Sequence, residues 1–213
     1  MTYTLHSYFR SSASWRVRIA LAWKGLPHDY AAVHLVKREN LGHPVLGAAQ
    51  LVPALELGDG RRLTQSLAIL EYLDEVHPEP ALLPKDAVAR AQARSLALDI
   101  ACETHPLNNL RVLRYLVGEL ALSEEQKLAW MRHWMRDGLR VVNERLKREG
   151  FSGDFCVGNS PSLADCLLAP QVFNAQRFEA RIDDLDAVLA INARCLELPA
   201  FASTHPSQVP DAE

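Results

Sequence analysis

The first 76 residues alternate between strand-like and helix-like spacing of apolar positions. Short apolar runs are separated by segments in which apolar residues recur three and four positions apart, as on one face of a helix. The order of the segments predicts a parallel first strand pair and a thioredoxin-like arrangement. The predicted elements are a strand at residues 2–8, a helix at 14–24, a strand at 30–35, a hairpin at 54–57 and 62–64 turned by Gly58-Asp59-Gly60, and a helix capped by Ser66 with Ile69, Leu70, Leu73 and Val76 on one face.

Prolines at positions 78, 80 and 84 exclude a continuous helix and mark the predicted domain boundary. Beyond them, nearly every periodic segment has helical spacing. The sequence therefore predicts an α/β thioredoxin-like domain at residues 1–81 and an all-helical domain at 87–213. Residues from 203 onwards are polar and contain proline, so we expect them to be loosely packed. The predicted helices of the second domain span residues 87–116, 124–147, 163–178 and 185–196.

Two helix starts carry capping pairs. Ser123 with Gln126, and Ser162 with Asp165, have the three-residue spacing at which each side chain satisfies a free backbone N–H group of the first turn. This explains Asp165 as a folding element, so we do not count it as a catalytic residue.

Composition and charge narrow the classes of function. The 213 residues carry a net charge of −3 with scattered lysines and arginines, so nucleic-acid binding is not expected. No apolar run approaches the roughly 20 residues of a membrane span, and the first residues lack a leader pattern, which favours the cytoplasm over the membrane. The four cysteines are far apart and lack zinc-ligand spacing, which predicts reduced, mostly packed thiols and no metal site.

The segment from Phe9 to Arg18 joins the first strand to the first helix and contains three serines. A helix N-terminus offers free N–H groups and a positive dipole end, and serine hydroxyls there can hold an anion such as a thiolate. The alternative is that the serines only cap the helix while Arg10, Arg16 and Arg18 are solvated.

At this point the sequence resembles the zeta-class glutathione transferases that act as maleylacetoacetate or maleylpyruvate isomerases. The family motif Ser-Ser-Cys-Ser-Trp-Arg-Val-Arg-Ile-Ala-Leu is reproduced from Ser11 to Leu21, except that Ala13 stands where the family has cysteine. The other matching motifs, in family order, are Leu51-Val52-Pro53-Ala54-Leu55, Gln65-Ser66, His105-Pro106-Leu107-Asn108-Asn109 and Leu163-Ala164-Asp165-Cys166.

The resemblance implies the glutathione transferase architecture, with glutathione as cofactor. Ser11 or Ser12 would hold its thiolate, and the backbone of Val52 before a cis Pro53 would bind its cysteinyl residue. Gln65 and Ser66 would take the γ-glutamyl carboxylate, with Gln50, His105 and Asn109 also near the cofactor. From spacing alone, His105 and Asn109 share one helical face. Three arginines would hold a dicarboxylate substrate, with Arg10 also acting in catalysis; without the resemblance they would be interpreted as unrelated surface residues. These arginines are Arg10, Arg111 and Arg177.

The implied reaction is cis–trans isomerisation of maleylacetoacetate or maleylpyruvate in the degradation of tyrosine-type or gentisate-type aromatics. The nucleophile in this reaction is the glutathione thiolate, so Ala13 does not exclude it. Two other classes stay open, namely conjugation of glutathione to small electrophiles such as α-halo acids and a non-enzymatic interaction protein on the same fold. The resemblance also implies a homodimer, and it leaves open which maleyl substrate is used and which serine faces the thiol.

Overall fold

The computed structural model describes residues 2–148 and 154–213. They form two compact units, one of residues 2–83 with Leu196–Glu213, and the other of residues 84–148 with 154–195. The division into domains 1–81 and 87–213 stays a prediction. In chain order the elements are β1 Tyr3–Ser7, α1 Ser12–Trp23, β2 His28–Ala32, β3 Ala54–Glu56, β4 Arg62–Thr64, α2 Ser66–Val76, α3 Ala87–Leu98, a π-helical segment Asp99–Thr104, a 3₁₀ turn His105–Asn108, α4 Leu110–Gly118, α5 Glu124–Arg148, α6 Leu163–Arg177, α7 Asp186–Leu196, α8 Pro199–Ala202 and a 3₁₀ turn Pro206–Gln208.

The first unit contains a four-stranded sheet in the order β2-β1-β3-β4. β1 is parallel to β2 and antiparallel to β3, which forms the predicted hairpin with β4. Gly60 supplies the positive φ of +83° that this turn needs. Leu5 and Leu55 face each other across the sheet centre and are fully buried. The predicted thioredoxin-like arrangement is therefore confirmed.

The second strand lies two to three residues earlier than the predicted 30–35. It pairs His28 with Tyr3 and Ala32 with Ser7. β2 is an edge strand, and half-exposed edge positions accept polar residues such as His28 and Asp29 that an apolar pattern does not select.

The predicted helix at 87–116 is wrong in its middle. After α3 the chain forms the π-helical segment and then a 3₁₀ turn with Pro106 at its second position. Asn109 has extended backbone angles and begins α4 as its N-cap. His105 and Asn109 therefore do not share an α-helical face, and that prediction is also wrong. The other three predicted helices are confirmed to within two residues at their ends as α5, α6 and α7.

Both capping pairs are present. Ser123 and Gln126 exchange hydrogen bonds of 2.8 and 3.2 Å between side chain and backbone. Asp165 is fully buried and accepts hydrogen bonds from the Ser162 and Cys156 backbone N–H groups, each at 2.8 Å. The interpretation of Asp165 as a structural carboxylate is confirmed.

The expectation of a loose segment from residue 203 onwards is wrong. Thr204 accepts a hydrogen bond from the Trp15 indole at 3.0 Å, and Asp211 accepts one from the Phe9 backbone at 3.0 Å. Val209 packs against the cluster that includes Tyr8 and Phe9. The polar composition led to a prediction of loose packing because composition does not reveal that Thr204 and Asp211 form hydrogen bonds with residues far away in the sequence.

In the part of the chain that the structure describes, no helix has the length and apolar character that a membrane span requires. All four cysteines are free thiols, and three of them are buried, as predicted; Cys102 is exposed.

The burial of His6 on β1 leads us to predict that the protein loses stability in acid. Both ring nitrogens are buried and form no hydrogen bond within residues 2–148 and 154–213. Burial, and then the nearby His43, lower the pKa of His6 below 6.5, while Glu56 opposes them and Arg62 adds to them. The unfolded chain therefore binds a proton at this histidine more readily than the folded chain does. The free energy of unfolding is accordingly retained above pH 6.5 and decreases as the pH drops below that value. We expect the midpoint temperature of thermal unfolding to decrease as the pH is lowered from about 7 to about 5.

His6→Phe tests this assignment, because phenylalanine keeps the ring and removes the titration. We expect a smaller loss of the midpoint in acid for His6→Phe and the wild-type loss for His133→Gln, a control at an exposed histidine on α5. Equal pH dependence in all three proteins would contradict the assignment.

Candidate functional site

The first predicted site lies where β1 passes into α1. A turn closes with the hydrogen bond from the Ser11 N–H to the Tyr8 carbonyl at 2.9 Å. Ser11 is the N-cap of α1, and its hydroxyl accepts a hydrogen bond from the Ser14 N–H at 3.2 Å. The N–H groups of Ser12 and Ala13 come before the first bond of the helical ladder. Ser11 is half-buried, whereas Ser12 is buried.

The electrostatics of this helix start favour an anion. The first turn, from Ser12 to Trp15, contains no acidic residue. The N-terminus of α1 carries the positive end of the helix dipole, and the Ser11 hydroxyl keeps a proton to donate while its oxygen accepts from the backbone. The site can therefore stabilise a negative charge, as the serine pattern predicted.

Arg16 and Arg18 lie in the body of α1 and are each only 2% exposed, so the alternative in which they are solvated is wrong for both. Arg16 donates from Nη1 to the hydroxyl of Ser66 at 3.1 Å. This buried, charge-assisted bond places a guanidinium beside the start of α2. The sequence contained one indication of this burial, since both arginines stand in a helix whose other positions are almost all apolar or small.

The start of α2 differs in detail from the prediction. Gln65, not Ser66, occupies the cap position, and Ser66 is the first helical residue. Gln65 has a φ of +69°, a conformation that costs about 1–3 kcal/mol for a residue with a side chain and is concentrated at binding sites. Gln65 is exposed and Ser66 is buried. Val76, predicted on the apolar face, is 42% exposed at the end of the helix.

The segment before β3 carries the next predicted residues. The Val52–Pro53 peptide bond is cis, as the resemblance implied, and both residues are buried. Gln50 precedes them with a φ of +53°. Its amide oxygen accepts a hydrogen bond from the His43 N–H at 3.1 Å, and its amide nitrogen donates to the Gly47 carbonyl. The side chain of Gln50 is therefore engaged in holding its own loop.

The remaining predicted residues divide between the units. Arg10 belongs to the first unit, where its guanidinium lies 4.6 Å from the centre of the Phe9 ring. The second unit contains the half-buried His105 and Asn109 and the exposed Arg111 and Arg177. The Asn109 side chain accepts a hydrogen bond from the Arg111 N–H at 3.1 Å, and Arg177 ends α6. That the three arginines share one site stays a prediction.

Gly138 on α5 supports the segment that leads into His105. A Cβ at this position would lie 2.0 Å from Oγ1 of Thr104, the residue before His105. Thr104 is itself buried and donates to the Asp99 carbonyl at 3.0 Å. Gly138→Ala is expected to lower the free energy of unfolding by about 1–3 kcal/mol, because the backbone must move to admit the methyl group.

Urea unfolding checks this prediction, with Gly118→Ala as the matched control. Among the described residues, no atom beyond the chain neighbours and the local helix backbone lies within 4 Å of the corresponding Cβ at Gly118, so that variant should be neutral or stabilising. Thr104→Ala combined with Gly138→Ala should recover part of the loss. A Gly138→Ala variant as stable as the wild type would show that α5 and the π-helical segment are less tightly packed than described.

The chain is similar to known proteins over its full length. The glutathione S-transferase N-terminal domain family matches residues 10–76. The probable maleylacetoacetate isomerase of Vibrio cholerae serotype O1 is 44% identical over 216 residues, covering 100% of this chain and 99% of that protein. A holo structure of a maleylpyruvate isomerase, a bacterial glutathione S-transferase of the zeta class, is 40% identical, with a TM-score of 0.95 and coverage of 99% and 100%.

The maleylacetoacetate isomerase of Anaeromyxobacter dehalogenans 2CP-1 is also 40% identical, with a TM-score of 0.89 and coverage of 100% of this chain and 98% of that chain. That protein has been solved with glutathione, and with dicarboxyethyl glutathione and citrate, in its active site.

Proposed function

The chain belongs to the zeta-class glutathione transferase family of maleylacetoacetate and maleylpyruvate isomerases, and from this premise we propose that it catalyses the glutathione-dependent cis–trans isomerisation of a maleyl keto acid. Within the chain, the proposal is carried by the start of α1, where the Ser11 hydroxyl and the first N–H groups of the helix come together without an acidic neighbour in the first turn. This is an arrangement suited to an ionised sulfur.

We infer that residues of the first unit bind two charged groups of glutathione, its thiolate and its γ-glutamyl carboxylate. Ser11 or Ser12 would hold the thiolate at the dipole end of α1. Ser66, with Gln65 beside it, would hold the γ-glutamyl carboxylate, and the Arg16 guanidinium behind Ser66 adds the positive charge that a buried carboxylate needs. The family also implies roles for the backbone of Val52 before Pro53, for Gln50, and for His105 and Asn109 of the second unit.

When bound, glutathione supplies a reversible thiolate nucleophile that gives the conjugated double bond single-bond character, so that it can rotate. Ser11 keeps the sulfur ionised by donating a hydrogen bond to it from its hydroxyl, whose oxygen already accepts from the Ser14 N–H. Negative charge develops on the substrate's conjugated ketone during this step, and cationic donors lower the barrier. We assign that role to Arg10, with Arg111 and Arg177 binding the two carboxylates by paired N–H donors.

His105 and Asn109 are proposed to position the cofactor and substrate. Arg111 favours maleylpyruvate slightly, while both maleyl substrates share the enol-diketo acid skeleton. The partner is therefore a small dicarboxylate, and the site residues leave the choice between the two substrates to measurement.

The test is an absorbance assay of maleylacetoacetate and maleylpyruvate with and without glutathione. We expect conversion to the fumaryl isomer only when glutathione is present, with the glutathione concentration unchanged at the end. Consumption of glutathione with α-halo acids and slow isomerisation would instead favour a conjugating transferase. Absence of glutathione binding by calorimetry would count against both activities.

We also propose a cytoplasmic homodimer. The free thiols of all four cysteines suit a reducing compartment. α3 exposes Val88 at 65% and Leu98 at 43%, apolar surface of the kind that a second copy covers. Sedimentation velocity should give twice the chain mass of 23.8 kDa, and a value equal to one chain would oppose the dimer.

A further inference from the structure

The turn that precedes Ser11 is fixed by side chains from distant parts of the first unit. Its Phe9 N–H donates to Oδ2 of Asp211 at 3.0 Å. Its Tyr8 and Phe9 carbonyls accept from the guanidinium of Arg18 at 3.4 and 3.1 Å. The same guanidinium donates to the hydroxyl of Ser7 at 3.1 Å. In the backbone between β1 and α1, a carboxylate thus binds the N–H group and a guanidinium cation binds the two carbonyl groups.

Asp211 is oriented for this contact by a second hydrogen bond. Its Oδ1 accepts from the hydroxyl of Tyr30 on β2 at 2.6 Å. Burial raises the pKa of Tyr30 to about 12, so its hydroxyl stays protonated and available as a donor at neutral pH. Burial lowers the pKa of Arg18 to about 10, which leaves it cationic at neutral pH. Each oxygen of Asp211 therefore has a defined donor.

The chain that carries Asp211 is anchored at two further points. Thr204 receives hydrogen bonds from Trp15 and, at its carbonyl, from Nε of Arg18 at 3.2 Å. Val209, two residues before Asp211, packs against the cluster that contains Tyr8 and Phe9. These contacts fix the backbone on both sides of Pro206 and bring Asp211 to the turn.

We propose that Asp211 is a positioning residue of the glutathione site, which holds the turn from Tyr8 to Ser11 so that the Ser11 hydroxyl and the first N–H groups of α1 point at the cofactor sulfur. The inference rests on the proposed function. Ser11 is two residues from Phe9 and is tied to the same turn by its own N–H bond to Tyr8. Loss of the hydrogen bond from the Phe9 N–H to Asp211 therefore changes the direction of the Ser11 hydroxyl without removing any group that would touch glutathione.

The experiment compares Asp211→Ala with Asp211→Asn and Glu213→Gln in the full-length chain. Alanine leaves the Phe9 N–H without its acceptor. Asparagine can accept from Phe9 with its oxygen and donate to Tyr30 with its nitrogen, since a hydroxyl accepts as well as donates. Glu213 lies on the same segment but pairs with His34 and Lys37 instead, so Glu213→Gln is the matched control.

Two readouts separate positioning from general stability. In the absence of glutathione, amide exchange should accelerate at least tenfold around residues 8–14 in Asp211→Ala and stay unchanged in β3 and α2. With glutathione bound, the ultraviolet absorbance of the thiolate should titrate about one pH unit higher, which corresponds to a tenfold loss of the thiolate fraction below the pKa. We expect kcat to fall about tenfold, with the KM for glutathione changed less than about twofold, because Ser66 is untouched.

Asp211→Asn should recover most of both effects, and Glu213→Gln should match the wild type. A thiol titration and local exchange in Asp211→Ala equal to those of the wild type would overturn the inference, as would a loss of global stability with no shift in the titration. If wild-type protein binds no glutathione, the proposed function fails, and the exchange readout still tests whether Asp211 holds the turn.

Discussion

Lys24→Met is expected to lower the free energy of unfolding by about 3–5 kcal/mol, because it leaves a carboxylate partly buried without its cation. The side chain of Lys24, which follows the end of α1, is inaccessible to solvent. Its ammonium group donates to Oδ1 of Asp74 at 2.8 Å and to the His77 and Pro80 carbonyls at 2.6 and 2.9 Å. Asp74 accepts in addition from the Leu82 N–H at 2.7 Å. One cation thus joins α1, α2 and residues 77–82.

Urea unfolding of Lys24→Met measures this effect, and Lys37→Met is the control. Lys37 forms an exposed ion pair with Glu213, and the loss of such a pair changes stability by at most about 1 kcal/mol. Lys24→Met combined with Asp74→Leu should lose less than the single variant, because no charge is left unpaired. A single variant within about 1 kcal/mol of the wild type would show that water reaches Asp74.

The sequence correctly predicted the elements that depend only on interactions between residues close together in the chain. The hairpin between β3 and β4 follows from a glycine turn between two apolar runs, and the capping pairs follow from three-residue spacing. Ser11 at the helix start is of the same kind, because a serine there satisfies an N–H group that any helix leaves free. For these elements a short window of sequence contains all the interacting groups.

The features that the sequence did not predict depend on distant residues. Thr104 of the π-helical segment packs against Gly138, which lies 34 positions further along the chain. The local pattern of apolar and polar residues does not predict this contact. Burial of Arg18 depends on Thr204 and on backbone carbonyls that become acceptors only after the turn has formed. The family motifs indicated the candidate site residues. The hydrogen bond from Arg16 to the Ser66 hydroxyl, in contrast, was found only in the structure.

The Ser11→Ala variant is expected to lower kcat/KM for isomerisation by about 100-fold, the scale typical of removing one donor that stabilises a developing or fixed anion. The hydroxyl of Ser11 is half-buried at the N-cap, with its oxygen accepting from Ser14 and its proton free to face a sulfur. Ser12 is the first residue of the helix and is buried, so Ser12→Ala should lose less than about tenfold. We therefore propose Ser11, rather than Ser12, as the serine that faces the thiol.

The same substitution removes a helix cap, which alone costs about 1 kcal/mol of stability, so the two effects must be separated. Ser11→Thr keeps both the cap and the hydroxyl and should retain activity within about tenfold, whereas Ser11→Gly should keep most of the stability and lose the activity. Kinetics at saturating glutathione, run well below the thermal midpoint of each variant, make the comparison. If Ser11→Ala and Ser11→Gly isomerise as fast as the wild type, the thiolate is stabilised by the helix N–H groups alone, and the hydroxyl of Ser11 serves only the fold.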